Sequence, residues 1–248
     1  MVPKAVLVGV VLWAWLAAGP VLAQDVDADG GSVMRVFDHF LVKGGAITWF
    51  VLVPLSVATV ALTIEYCMSI RRETFVPHAA YQQISEQLQK REYAGAIEFT
   101  AQEPSMLCGV VNTGLMESQN GYEAMERAVE ESLEDRSARM MHKIEYLNVI
   151  GNISPMIGLF GTVYGMIRLF ASIRAAGGMP EPARIADDIS IALVTTFWGL
   201  LVAIPALSVF ALFRNRIDLL TAECALATDR LLSPFKPGAS TNPPQDKS

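Results

Sequence analysis

Four stretches of this 248-residue chain contain no Asp, Glu, Lys or Arg: residues 5–24, 44–64, 146–167 and 189–213. They are 20, 21, 22 and 25 residues long. A helix rises 1.5 Å per residue, so about 20 apolar residues cross the roughly 30 Å hydrocarbon core of a bilayer. All four stretches reach that length. The 19 basic and 25 acidic residues crowd onto the other 160 positions, an ordinary density for a solvated surface. A water-soluble globule is excluded, and a net charge of -6 argues against a nucleic-acid partner. The pattern is that of a membrane protein.

The first stretch reads as an export signal. Lys4 precedes AVLVGVVLWAWLAAGPVLA, Gly19 and Pro20 break the helix, and Val21, Leu22 and Ala23 put small residues where a signal peptidase cuts. Cleavage after Ala23 leaves three spans; retention leaves a fourth membrane helix. The expected organisation is a signal peptide at 1–23, a periplasmic segment at 24–45 and a first transmembrane helix at 46–70. A cytoplasmic helical domain follows at 71–145, then a second transmembrane helix at 146–170. A periplasmic hairpin at 171–188 leads to a third transmembrane helix at 189–213. A cytoplasmic amphipathic helix at 214–232 and a disordered tail at 233–248 complete the chain. Basic residues mark cytoplasmic ends of spans, and Arg71, Arg72, Arg214 and Arg216 sit at two such ends. Arg168, Arg174 and Arg184 lie on the opposite side, offset by Glu181, Asp187 and Asp188. The expected orientation is N-terminus periplasmic and C-terminus cytoplasmic.

The soluble part has helical composition. His78 to Gln89 and Glu92 to Thr100 hold few β-branched residues, and Pro104 separates them from the next segment. The uncharged run 104–116 is too short to span and reads as a buried helix. From Tyr122 no Gly or Pro intervenes until Gly151, and Glu123, Glu126, Glu130, Glu131, Glu134 and Asp135 read as a solvated face. The fold class is therefore an all-α membrane protein, with three transmembrane helices and long helices extending into a cytoplasmic helical domain. Three cysteines (Cys67, Cys108, Cys224) form no C-x-x-C pair, and His39, His78 and His142 have no metal-ligand spacing. No metal, cofactor or enzymatic constellation of nucleophile and base is expected.

The second and third spans carry the most specific pattern. Ser154, Gly158, Gly161, Thr162 and Gly165 recur at steps of three and four, so they share a helix face, as do Ala192, Thr195, Thr196, Gly199 and Ala203. Small residues let helix backbones approach closely in lipid. Pro155 and Pro205 each remove a backbone donor and are expected to kink their helices. Two readings stand: tight packing in a bundle or oligomer, or a polar strip in which Thr162 and Thr196, with Thr195 beside it, line a proton pathway. A threonine hydroxyl can also satisfy itself on the preceding turn. No carboxylate, Lys or His lies inside the three span cores, so a proton relay here needs a carboxylate from another chain.

GLFGTVYGMI at 158–167 followed by ALVTTFWGLLVAIPAL at 192–207 resembles the MotA/TolQ/ExbB proton channel family, on its ExbB/TolQ side. The resemblance covers most of the chain. It implies a homo-oligomer, a pentamer, around an ExbD/TolR-like single-span partner that supplies a membrane aspartate. It also implies that proton motive force is passed to a TonB/TolA-like periplasmic transducer, in the inner membrane of a bacterial cell. Thr162 and Thr196 match the family's pore-facing threonines. Many members have a glutamate five residues before the second threonine; here that position is Ile191. Either the glutamate is dispensable, or Asp187 or Asp188 takes its task. Arg168 is expected to snorkel to the interface. The alternative function is a non-transporting membrane scaffold or signalling subunit.

Overall fold

The structure is a computed structural model and describes residues 48–175, 177–178 and 181–236. The expected signal peptide, the segment 24–45 and all but the first residues of the tail lie outside these. Among the described residues every regular element is helical. A π-helical turn, Thr48–Leu52, opens α1, Val53–Ser69. It ends two residues before Pro54, whose missing N–H leaves the Phe50 carbonyl without its ordinary helical donor. Then follow α2 (Arg72–Phe75), α3 (His78–Gln89), α4 (Tyr93–Gln102), α5 (Met106–Met116), α6 (Tyr122–Ala175) and α7 (Pro182–Leu232). Among the described residues three helices are long and apolar enough to cross a membrane, those containing residues 48–69, 122–175 and 182–235.

The chain divides into two compact units. One comprises residues 68–143 and 213–236, and it is built like a small soluble helical domain. Its core is aliphatic and aromatic: Phe75, Ile84, Leu107, Val110, Val111, Leu115, Met125 and Ile217 are fully or almost fully buried. Helix α5 starts where Ser105, extended and just after Pro104, accepts a hydrogen bond from the Cys108 N–H at 3.2 Å. That satisfies one of the donors a helix start leaves open. Asn112 of α5 donates to the Ile97 carbonyl and the Thr100 hydroxyl of α4, both at 3.0 Å. The turn after α3 uses Arg91 at φ +61°, a left-handed position that usually falls to glycine. The expected helix at 92–100 begins one residue later and ends two later.

The second unit comprises, among the described residues, 48–67 together with 144–212. It holds α1 and the span portions of α6 and α7. The three windows of highest hydropathy are only 22%, 22% and 33% buried, as suits helices whose outer faces meet lipid or other subunits. Both α6 and α7 continue through their prolines, Pro155 and Pro205. Two expected boundaries shift. Helices α6 and α7 run into the expected hairpin 171–188 and leave six residues between Ala175 and Pro182. The expected amphipathic helix at 214–232 is the unbroken continuation of α7. The reason is the same in both places: a charge ends a hydrocarbon-compatible stretch but does not end a helix, and no glycine or proline does so there.

Candidate functional site

Helices α6 and α7 meet along an antiparallel seam whose register can be followed residue by residue. Gly151 faces Leu207, Gly158 faces Gly199 and Thr196, Gly161 faces Thr195, and Gly165 faces Ala192. Advances of seven, three and four residues on α6 are matched by retreats of eight, four and three on α7. The approach is close enough to forbid side chains. A Cβ at Gly199 would lie 2.7 Å from the Ser154 carbonyl oxygen, and one at Gly158 would lie 3.0 Å from the Thr196 Cα. At Gly161 a Cβ would overlap the Thr195 side chain, and at Gly165 it would come 2.8 Å from the Ala192 Cβ. Dispersion contacts between backbones, strongest at such distances, hold helices together where lipid removes the hydrophobic drive.

The three candidate threonines have three different environments. Thr196 is half-buried and donates across the seam to the Gly158 carbonyl at 3.0 Å, with the Ala192 carbonyl of its own helix at 3.4 Å. Thr162 is half-buried and donates to the Leu159 carbonyl at 2.6 Å. It lies one turn beyond Gly158 on α6, so the Thr196 hydroxyl reaches the helix beside it. Thr195 is 1% exposed and donates to the Ile191 carbonyl at 2.8 Å. Its side chain fills the space left by Gly161, which makes it a packing residue of the seam. Adjacent positions on a helix point about 100° apart, so the two neighbouring threonines divide these roles. Ser154 is fully buried and bonds to the Ile150 carbonyl at 2.6 Å. Pro155 and Pro205 are half-buried beside the seam.

At the hairpin end Asp188 is buried and pairs with Arg168 at 3.5 Å, whereas Asp187 is exposed. Arg168 thus has a partner on α7, beyond the snorkelling expected of it. Ile191, the hydrocarbon at the position of the family glutamate, is half-buried. Sequence reasoning missed three features. Gly151 extends the small-residue stripe of α6 by one step of three, a signal present in the spacing. Thr59 and Thr63 are buried on α1, donating to the Leu55 and Thr59 carbonyls at 2.9 and 2.6 Å. Two threonines four apart in a Val- and Leu-rich span could have flagged that face. The Arg168–Asp188 pairing needed the register. Among the described residues no group of three or more His, Cys, Asp and Glu side chains could hold a metal ion.

Comparison with known proteins places the chain in a family. The model of the MotA/TolQ/ExbB proton channel family matches residues 100–225, which span α5, α6 and most of α7. Biopolymer transport protein exbB1 of Vibrio cholerae is 38% identical over 76 residues, 31% of this chain and 33% of its own length. Biopolymer transport protein ExbB of Salmonella typhimurium is 43% identical over 72 residues, 29% of either chain. The chain spans about a third of the length of these curated relatives. A chain of the C. jejuni MotAB structure superposes with a TM-score of 0.51 at 17% identity, covering 96% of this chain and 99% of that one, which shows a shared fold. The matched family is one of proton channels, and its model spans the seam, both prolines and the candidate threonines. The chain is a membrane protein that belongs to the MotA/TolQ/ExbB proton channel family.

Proposed function

We propose that this chain is the ExbB/TolQ-like subunit of a proton-driven motor in a bacterial inner membrane, with its N-terminus periplasmic and its C-terminus cytoplasmic. It works as a homo-oligomer, a pentamer, around an ExbD/TolR-like single-span partner. That partner supplies the membrane carboxylate and passes the energy of the proton motive force to a TonB/TolA-like transducer. Thr162 and Thr196 are the proton-pathway residues. Thr195 and the glycines Gly158, Gly161, Gly165 and Gly199 hold the helix pair that presents them. Pro155 and Pro205 shape its two helices, and Asp187 and Asp188 are the acidic groups of its outer end.

The observation that carries this reading is a conjunction within the seam. Two half-buried threonine hydroxyls lie on its edge, and the uncharged stretches 146–167 and 189–213 on either side hold no titratable carboxylate. Threonine hydroxyls can order water but cannot relay a proton by ionising, so a carboxylate from a second chain completes the chemistry. Co-purification of the chain with the small single-span protein encoded beside it, followed by reconstitution into vesicles, is the test. Proton uptake down an imposed gradient is expected, and Thr162→Val combined with Thr196→Val is expected to abolish it. Vesicles holding both proteins and showing no uptake would overturn the reading.

Ile191 favours a second reading, a scaffold or signalling subunit that does not transport. Under it the double valine variant keeps full energy-dependent activity.

A further inference from the structure

The charge-free stretches of α6 and α7 end, at the hairpin, on opposite charges. Residues 146–167 stop at Arg168, and residues 189–213 start just after Asp188. The antiparallel register brings the two together. Gly165 packs against Ala192, with the Asp188 carbonyl oxygen 3.1 Å from where its Cβ would be. About one turn further along α6, Arg168 Nη2 lies 3.5 Å from Asp188 Oδ1. The pair is lopsided, because the Asp188 side chain is 7% exposed and that of Arg168 is 50% exposed. Asp188 lies beyond the first turn of α7, so the helix dipole does not account for a buried carboxylate there. Arg184, one turn earlier on the same helix, is exposed and makes no ion pair with it among the described residues.

A buried carboxylate at the rim of the uncharged zone needs a counter-charge, whereas a half-exposed guanidinium can reach water unaided. Stability therefore depends more on Arg168 being present than on Asp188. Cation passage has the opposite dependence. An unpaired guanidinium at the end of the seam repels a proton or hydronium ion, and a paired one does not.

We infer that Asp188 is a positioning residue that holds Arg168 in a neutral pair and so keeps the hairpin end of the seam open to cations. This rests on the proton-channel reading above. The two single neutral variants separate it from a merely structural role, because each readout ranks them differently. The experiment uses the full chain with its single-span partner, measuring melting in detergent and proton uptake in vesicles. Arg168→Gln is expected to lower the melting midpoint more than Asp188→Asn. Asp188→Asn is expected to cut uptake about tenfold, the scale of one uncompensated charge at a part-buried site. Arg168→Gln should keep uptake within about twofold of wild type in folded protein, its lone carboxylate attracting cations. Combining both changes should restore most of the uptake lost in Asp188→Asn, and Asp188→Glu and Arg168→Lys should retain it. Uptake that follows the melting order, or a double variant as poor as Asp188→Asn, overturns the inference. Wild-type protein without any uptake removes the channel reading and this role with it. Melting then decides the pair alone: equal midpoints for wild type and both single variants would show that it contributes nothing.

Discussion

Helices α6 and α7 contribute to both units, and the two contributions are packed by different residues. In residues 144–212 Ile144, Leu147, Val202 and Val209 are buried too, but the closest approaches are made by Gly151, Ser154, Gly158, Gly161, Gly165, Ala192, Thr195 and Gly199, with backbone against backbone at Gly158 and Gly199. In residues 122–143 and 213–232 the same helices bury Met125, Phe213, Ile217, Leu220 and Leu231, as a soluble domain does. The contrast follows from the surroundings. Where water surrounds a helix, burying about 25 cal/mol per Å² of apolar surface favours large side chains. Where lipid surrounds it, a leucine gains nothing by leaving lipid for protein, and the available gain comes from closer approach. A glycine in a helix that would weaken a soluble domain is the stabilising choice in the seam.

The contrast can be broken in order of expected effect. Gly199→Leu should be the most damaging change, since the Ser154 carbonyl is backbone and cannot swing away. A loss of about 3 kcal/mol or more, read as a collapse of the detergent melting midpoint, is expected. Leu107→Ala in the fully buried core of α5 should cost about 2–5 kcal/mol by leaving a cavity, while Leu107→Met should cost less than about 1.5. If Leu107→Ala were silent, the soluble-core description of that unit would fail. Thr196→Val removes the bond to the Gly158 carbonyl and should cost about 1 kcal/mol in melting, with Thr162→Val, whose bond stays within its own turn, costing less. Equal costs would mean that Thr196 does not tie the helices together. Gly109→Ala sharpens the rule from the other side. The atoms nearest its Cβ would be the guanidinium end of Arg136, a flexible group, so this glycine should accept alanine within about 1 kcal/mol of no change, helped by alanine's higher helix propensity.

Titration gives a further check on the soluble unit. Burial pushes the Cys224 thiol up to about 12 and raises that of Cys108 as well. Both stay neutral at pH 7 to 8, and a thiol reacts as its thiolate, so neither should take a maleimide in native protein, and both should after denaturation. Since the unfolded thiol ionises near 9 and the folded Cys224 near 12, the unfolded state binds fewer protons between them. Stability is therefore full below pH 9 and falls as pH rises from 9 toward 12. Rapid labelling of Cys224 at neutral pH would show that the core around it opens.

Much of this was legible before any coordinates. The uncharged runs announced three of the span-length helices, because a charge is too costly in hydrocarbon for evolution to place it carelessly. The small-residue spacing of 154–165 and 192–203 announced a helix–helix face. What stayed illegible was the partner across each face. Spacing puts Gly158 and Gly161 on one stripe, but it cannot say that one meets Thr196 and the other Thr195. It gave the neighbouring threonines one shared role, and the register divided it. The helix ends also escaped: Arg214 closes an uncharged run without closing α7, because helical hydrogen bonds are indifferent to whether a side chain is charged.

By itself, then, the sequence determined the membrane class, the span-length apolar stretches, the helical fold and the lack of any carboxylate inside those stretches. Those properties depend on hydrophobic length and on which residue types are present, and both are local. The tertiary structure decided which small residue meets which, that Thr195 is packing while Thr162 and Thr196 stay accessible, and that Arg168 and Asp188 neutralise one another. Those depend on the relative register of two helices, and a shift of one residue in that register would turn every facing pair by about 100°.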